Sequence, residues 1–155
     1  MSKLLSVFKS PFKMRLYFLK KLPSLFFWKI KVEDIQPTKS KISIPFCWRT
    51  QNPFRSIYFS ALAGTAELST GLLAFLAIEN NNMSMLVVGV KGEFIKKANT
   101  KTYFICDQGQ DIISAVHKAI ETGEGQMVTV VSKGYNDQDE LIAKFEFTWS
   151  FKQRK

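Results

Sequence analysis

The sequence predicts an α+β fold in which a curled antiparallel sheet wraps around one long buried helix. The helix is predicted over residues 60–78, an apolar stretch in which Glu67 is the only ionisable side chain. A helix without a polar stripe is usually buried on most sides. Two strand-like runs precede this stretch and about four follow it. Small residues within it, such as Gly64 and Gly71, allow a sheet to pack closely around the helix.

The length and the composition fit one domain with a substantial core. The chain has 155 residues, of which 46% are hydrophobic and 14% are aromatic, as expected of a globular protein. Cys47 and Cys106 lie in apolar runs without zinc-ligand spacing, so we expect buried reduced thiols and no metal. Reduced thiols are typical of cytoplasmic proteins, which is the localisation we expect, with peripheral membrane attachment as the open alternative.

The net charge of +9 is concentrated at the N-terminus. Residues 1–31 carry eight basic residues and no acidic one. Lysines interrupt every apolar run in this segment, so it resembles neither a signal peptide nor a transmembrane helix. We predict that residues 1–27 form a basic amphipathic helical arm and that residues 28–155 form the main domain.

Two helices are predicted in the arm, over residues 2–9 and 11–21, with a break at the proline between them. In the second helix Phe12, Leu16 and Leu19 recur at i, i+4 and i+7 and predict one apolar face. Either the arm packs on the domain with its basic face in solvent, or it lies on an anionic membrane surface. Nucleic-acid binding is the least favoured interpretation, because no known reading motif accompanies the basic residues.

An antiparallel hairpin is predicted before the central helix. Apolar and polar residues alternate over 28–33 and again over 41–46, with a turn at 36–38 between them. Pro45 predicts that the second strand lies at an edge or bends there. Ser60 is a suitable N-cap for the helix, because its hydroxyl can accept from the free N–H groups of the first turn.

The second half of the chain is predicted to consist mainly of strands. They cover residues 85–97, 102–106, 127–131 and 145–152. A short extra helix over 111–121, capped by Asp111 and ended by nearby glycines, precedes the last two strands. The last strand alternates most regularly, with four aromatic residues on its inward face.

Glu67 is the first candidate for a catalytic side chain. An ionised carboxylate in an apolar helix is costly unless it is paired or hydrogen-bonded. Burial would raise its pKa, which is a common way of tuning a general acid or base. The alternative is a structural glutamate bonded to a neighbouring hydroxyl, such as that of Thr70, or to a backbone group.

Residues 52–78 and the strands after them resemble the hotdog-fold thioesterases, especially the branch related to the phenylacetyl-CoA thioesterases. That branch has an Asn, a His-Gly-Gly six to eight residues later, and an acid on the central helix fifteen residues after the Asn. Asn52 and Glu67 match the Asn and the acid at this spacing, whereas Tyr58 stands at the histidine position and side chains replace both glycines. The chain is most similar to an uncharacterised hotdog branch with an NPFRSIYF…AEL pattern.

The resemblance implies a hydrolase of acyl-CoA or acyl-carrier thioesters, with its site at the interface of a homodimer or of a dimer of dimers. It implies that the thioester oxygen accepts hydrogen bonds near Ser60 and Ala61. Glu67 would then activate water or attack directly, and Asn52 and Tyr58 complete the predicted catalytic set. Tyr58 either donates its hydroxyl in place of the histidine or simply packs.

The same resemblance implies where the rest of the substrate lies. Coenzyme A would enter only as part of the substrate, and no separate cofactor is expected. Lys96, Lys97 and Lys101 are the predicted contacts for its phosphates, the alternative being three solvated lysines at a strand end. A non-catalytic acyl- or lipid-binding hotdog protein is the alternative function, and a structural or nucleic-acid-binding role is the third.

Overall fold

Three short helices, a hairpin and a long helix come before the four remaining strands in the computed structural model, which describes residues 2–154. The helices in this range are α1 (Lys3–Phe8), α2 (Pro11–Lys21), α3 (Pro23–Phe27), α4 (Phe59–Ala77) and α5 (Gly109–Thr122). The strands are β1 (Lys31–Gln36), β2 (Lys39–Ile44), β3 (Met83–Phe94), β4 (Thr102–Cys106), β5 (Gln126–Tyr135) and β6 (Leu141–Gln153).

The strands form a single antiparallel sheet in the order β1-β2-β4-β5-β6-β3. The sheet curls around α4, which packs against β2, β3, β4, β5 and β6. On β6 the predicted aromatic residues at alternate positions, from Phe145 to Phe151, are all buried against the helix side. The predicted α+β fold, a curled antiparallel sheet around one buried helix with an extra helical arm and an extra short helix, is confirmed.

The central helix α4 runs close to its predicted range and satisfies its polar groups internally. Thr65 and Ser69 donate their hydroxyls to main-chain carbonyls of the preceding turn, each at 2.7 Å. The Ser69 hydroxyl also lies 2.7 Å from that of Ser132 on β5. Within residues 2–154, α4 is the one helix long and apolar enough to cross a membrane by length and composition. Its packing beneath the sheet shows that it is the core helix.

The start of α4 differs from the prediction. Tyr58, in an extended conformation, occupies the N-cap position, and no side chain within residues 2–154 accepts from the first turn. Ser60 therefore lies inside the helix and does not cap it. The first N–H groups of the helix are left without a capping oxygen, which bears on the site described below.

The hairpin begins later than predicted. Residues 28–30 form the turn that follows α3, where Lys29 adopts a positive φ of 58° and Ile30 N–H donates to the Leu25 carbonyl at 3.1 Å. β2 lies between β1 and β4, so it is not an edge strand. β2 ends at Ile44, and Pro45 follows it outside the sheet. Of the two predictions from Pro45, an edge strand or a bend, this position agrees with the bend.

The extra helix α5 starts two residues earlier than predicted. Gln108 is its N-cap residue and Asp111 lies in its first turn, so the predicted cap at Asp111 is wrong. A methyl group at Gly109 would lie 2.5 Å from Thr38 Cα, so only glycine allows the helix to begin this close to the β1–β2 turn. Gly123, with φ of 71°, ends the helix as predicted.

The arm packs onto the domain through a different face than predicted. Met14 and Phe18 are the buried residues of α2, whereas Phe12, Leu16 and Leu19 are 71%, 41% and 50% exposed. Further arm residues, among them Leu5, Phe8 and Leu25, belong to the same core as the sheet. The predicted boundary between residues 1–27 and 28–155 stays a prediction, and its two terminal residues, 1 and 155, lie outside the described residues.

Candidate active site on the central helix

Glu67 lies on the side of α4 that faces β6, and its side chain is half-buried. A methyl group at Gly71 would lie 3.1 Å from Glu67 Oε1 and 3.4 Å from the Trp149 ring. The carboxylate, the glycine and the indole therefore share one narrow space. Glycine one turn after Glu67 leaves room for the carboxylate, which a larger residue would displace.

The Glu67 carboxylate has no hydrogen-bond donor and no ion-pair partner within residues 2–154. The Thr70 hydroxyl donates instead to the main-chain carbonyl of Glu67 at 2.9 Å and accepts from Trp149 Nε1 at 3.0 Å. The structural alternative, in which Thr70 binds the carboxylate, is therefore not what the structure shows. Among the described residues no fully buried side-chain polar atom lacks a partner, so the carboxylate reaches the surface.

Burial raises the pKa of Glu67 above the usual value of a glutamate. No neighbouring cation opposes this effect in the described chain, since the cause is desolvation of the charged form alone. A carboxylate that is reluctant to ionise is a stronger base once it has done so. This is the property that a general base in thioester hydrolysis requires.

The raised pKa predicts a specific dependence of stability on pH. A protonated Glu67 stabilises the fold fully below its unfolded-state pKa of about 4.3, and this contribution is lost as pH rises through the raised folded-state pKa. The thermal midpoint of the parent, measured against that of Glu67→Gln, should therefore fall as pH rises from about 4 toward neutrality. Calorimetry of both proteins across this range checks it. A difference that does not change with pH would show that Glu67 is not desolvated.

The start of α4 presents two free backbone donors. No described residue accepts from the N–H groups of Phe59 and Ser60, whereas Ala61 N–H donates to the Tyr58 carbonyl at 3.0 Å. Of the predicted pair Ser60 and Ala61, only Ser60 is thus free, and Phe59 takes the place of Ala61. Free N–H groups at a helix start attract developing negative charge.

The two halves of this candidate site are separated along the helix. Glu67 follows Ser60 by seven residues, which is about 10 Å along the helix axis. One thioester group cannot contact both the carboxylate and the free N–H groups of the same chain at that distance. A complete site on this design needs the helix start of a second copy.

Asn52 organises the loop before α4 with its side chain. Its Oδ1 accepts from the N–H groups of Phe54 at 2.9 Å and Ser56 at 3.2 Å, and its Nδ2 donates to Ser56 Oγ at 3.0 Å. All of these bonds are local, so Asn52 fixes the path of the chain into the helix. The structure does not bring Asn52 into hydrogen-bonding contact with Glu67.

The ring of Tyr58 packs against its neighbour. Tyr58 and Phe59 form an edge-on pair with centroids 5.1 Å apart, and both rings are about half exposed. The Tyr58 hydroxyl forms no hydrogen bond to another residue in the range 2–154. In the single chain Tyr58 therefore packs through its ring and does not donate its hydroxyl to another described residue.

The three predicted phosphate-binding lysines are not equivalent. Lys96 Nζ lies 2.5 Å from Glu140 Oε1, and Lys101 Nζ lies 2.7 Å from Glu33 Oε1. Within residues 2–154 only Lys97 of the three is exposed without an ion pair. Because their charges are already compensated, Lys96 and Lys101 are weaker anion contacts than the sequence suggests.

Thiol and metal chemistry have no evident site in the described chain. Both cysteines are free, Cys47 half-buried and Cys106 buried. Burial raises the pKa of the Cys106 thiol to about 11, so it stays protonated and unreactive near neutral pH. No group of three His, Cys, Asp or Glu side chains within residues 2–154 is arranged to hold a metal ion.

A separate groove of about 280 Å³ opens between α2, α3 and β1. Its floor is apolar, and Arg15, Lys29, Lys31 and Glu33 lie at its rim. The Glu33 carboxylate accepts from Ser43 and pairs with Lys101, so it is not free to act as a base. We therefore assign the candidate chemistry to Glu67, whose carboxylate has no such partners.

Comparison with known proteins supports the fold and identifies the family to which the chain belongs. A family model described as a domain of unknown function, DUF4442, matches residues 14–151. No functionally curated protein matches the chain. Solved structures match over nearly the whole length.

Three of these structures come from bacteria. A Pseudomonas aeruginosa protein of unknown function, described as a probable thioesterase, has a TM-score of 0.80 at 16% identity over 94% of this chain and 97% of its own. A Chlorobaculum tepidum protein of unknown function has a TM-score of 0.78 at 14% identity, over 94% of this chain and 98% of its own. A Haemophilus influenzae thioesterase has a TM-score of 0.68 at 10% identity, over 93% of this chain and 91% of its own. At these identities the likeness establishes the shared hotdog-type fold, and the phenylacetyl-CoA branch stays a prediction.

Proposed function

Since the chain belongs to the DUF4442 family, whose description assigns no activity, we propose its function from the site itself: hydrolysis of acyl thioesters. The observation that carries the proposal is the unpaired, half-buried carboxylate of Glu67 on the central helix. The fold supports it, because several solved structures that share this fold are described as thioesterases.

In the proposed reaction Glu67 accepts a proton from a water molecule as that water attacks the thioester carbonyl carbon. The carbonyl oxygen becomes an oxyanion and accepts hydrogen bonds from the N–H groups of Phe59 and Ser60. Collapse of this intermediate breaks the carbon–sulfur bond, and the sulfur leaves with the proton returned from Glu67. The products are a carboxylic acid and a free thiol.

A homodimer would complete this site. α1 and α2 contact the edge strand β1, whereas the other edge strand, β3, carries large exposed apolar side chains. Val90 and Phe94 of β3 are 62% and 55% exposed. Val90 lies opposite Phe147, which faces α4, so this apolar surface is on the concave side of the sheet. Pairing of two β3 strands would cover the surface and bring a second α4 near the first.

A dimer of dimers is the larger assembly that the surface allows. Leu86 and Met127 both lie opposite Ser150 on the outward face of the sheet and are 65% and 70% exposed. Large apolar side chains on an outer sheet face are typical of a further protein contact.

The substrate we propose is an acyl-CoA or an acyl-carrier thioester in the cytoplasm, with coenzyme A acting only as part of the substrate. Lys97 is the best placed of the predicted phosphate contacts, because it is exposed and unpaired in the described chain. The sequence resemblance further suggests that the acyl group is an aryl-acetyl group, so an aryl-acetyl-CoA is included among the tested substrates.

A non-catalytic acyl-binding protein is the second candidate. It is favoured by the exposed side chain of Phe59, which stands beside the free N–H groups where the resembled family has glycine. A bulky ring there narrows the approach of a thioester to those donors.

An acyl-CoA panel separates the two functions. The panel includes short, long and aryl-acetyl chains, and a thiol-reactive dye detects the released thiol. Hydrolysis of at least one substrate, above the rate of Glu67→Gln, is the expected result. Calorimetric binding of an acyl-CoA without thiol release from any member would favour the binding protein instead.

A further inference from the structure

The helix α2 has two apolar faces, of which only one is used by the fold. Met14 and Phe18 face the core, whereas Phe12, Leu16 and Leu19 face outward and are 71%, 41% and 50% exposed. At about 100° per residue the two faces point roughly 150° apart around the helix. The outward stripe, defined by Phe12, Leu16 and Leu19, therefore contributes nothing to the core and lacks a partner in the described chain.

Cations lie on both sides of the outward stripe. On a helical projection Lys13 and Lys20 lie beyond Leu16, and Arg15 lies between Leu19 and the buried face, with its guanidinium 4.6 Å from the centre of the Phe26 ring. The eight basic residues of the first 31 are all exposed, and within residues 2–154 none of them forms an ion pair. α2 contains no acidic residue, so no acid on the helix itself neutralises the cations beside the stripe.

Other exposed apolar side chains lie just after α2 and in the loop after β2. Leu22 and Phe27 are 37% and 47% exposed, and the Phe27 ring lies 6.3 Å from that of Trp48, which is 76% exposed. Arg49 stands over Phe27 with its guanidinium 5.4 Å from the ring centre. Tryptophan and arginine side by side are typical of surfaces that lie at the headgroup level of a bilayer.

We propose that the outward stripe of α2 binds the surface of an anionic phospholipid bilayer. Phe12, Leu16 and Leu19 insert between the acyl chains just below the headgroups, and the flanking cations contact the lipid phosphates. The helix then lies in the plane of the interface, with Met14 and Phe18 still packed on the domain. This attachment is independent of the proposed hydrolysis.

Two other occupants fit the surface less well. A second copy of the chain would bring two basic arms together, and their like charges would repel each other. A nucleic acid would match the cations but would leave the three large apolar side chains without an apolar partner. A bilayer provides both anionic phosphates and hydrocarbon.

Sedimentation with lipid vesicles tests the proposal on the full chain. The parent should sediment with vesicles of mixed phosphatidylglycerol and phosphatidylcholine, should not do so with phosphatidylcholine alone, and should bind more weakly in high salt. The triple variant Phe12→Gln, Leu16→Gln, Leu19→Gln should lose about 100-fold or more in partitioning, because three large apolar side chains no longer insert. The double variant Lys13→Gln, Lys20→Gln should lose about 30-fold.

Matched controls alter the same chemistry elsewhere. Lys118→Gln with Lys133→Gln makes the same change in charge on α5 and β5, and Met127→Gln removes a comparably exposed apolar side chain. Both controls should bind vesicles like the parent. All of the substituted residues are exposed, so the thermal midpoints of the arm variants should stay close to that of the parent.

Three results would overturn the proposal. The first is that the parent does not sediment with the anionic vesicles. The second is that the triple variant binds them as tightly as the parent. The third is duplex DNA binding as strong as vesicle binding and unaffected by the triple variant, which would make the arm a nucleic-acid surface. None of these measurements requires turnover, so their outcome is distinguishable from failure of the proposed hydrolysis.

Discussion

Glu67→Gln should lower the turnover of any acyl-CoA that the parent cleaves by about 100-fold or more. Glutamine keeps the size of the side chain in the narrow space beside Gly71 and Trp149, and it removes the group that accepts the proton from water. The Michaelis constant should change much less, because the amide still fills the same volume. Thiol release under saturating and limiting substrate separates the two constants.

Two further variants make this measurement decisive. Glu121→Gln removes an exposed carboxylate from α5 and should leave turnover unchanged. Glu67→Ala should match Glu67→Gln in turnover and should also lower the thermal midpoint, because it opens a cavity beside Trp149. If Glu67→Gln hydrolyses the substrate at nearly the parental rate, Glu67 is structural and the spacing from Asn52 has no catalytic meaning.

The fold was predictable because its strongest signals are local. An apolar run of nineteen residues forms α4. Buried aromatic residues alternate with polar ones from Phe145 to Phe151 and form the inward face of β6. The length of the apolar run favours a helix over a strand, and the period of two favours a strand over a helix. A buried helix and a sheet with one apolar face can be satisfied together only by packing against each other.

The orientation of α2 was not predictable in the same way. Met14 and Phe18 have the same spacing as Phe12 and Leu16, so periodicity identifies two candidate faces. Which face turns inward depends on where the neighbouring elements lie, and that is set by the tertiary contacts of α2 with α3 and β1. A short helix with two apolar faces is therefore ambiguous from its sequence alone.

The candidate site was predictable only in part, because some of its features depend on contacts that form in the folded chain. The spacing of Glu67 from the helix start follows from the sequence, but the free N–H groups depend on the first residue of the helix. A serine at position 60 suggests a cap, yet the helix starts one residue earlier and exposes Phe59 N–H. The ion pairs of Lys101 and Lys96 could not be predicted, because the acids that pair with them are 68 and 44 residues away in sequence.

Val88→Lys with Val90→Lys should convert a dimer into monomers and reduce turnover by about 100-fold or more. Both residues lie at the middle of the open edge strand β3 and are 50% and 62% exposed, so the protomer should still fold. Antiparallel pairing about a two-fold axis places the middle of the strand against itself. The variant would therefore crowd four lysines at the axis, and each protomer would keep only half of the proposed site.

Light scattering at micromolar concentration, combined with the thiol-release assay, measures both consequences on one sample. Met127→Lys is the matched control, because it introduces a lysine at an exposed apolar position of β5, away from the edge of the sheet. It should leave the edge-paired dimer and its turnover intact, and it would disrupt only a further contact through the outer face. A parent that is monomeric yet hydrolyses thioesters would contradict the shared site, since Glu67 and the free N–H groups lie about 10 Å apart in one chain.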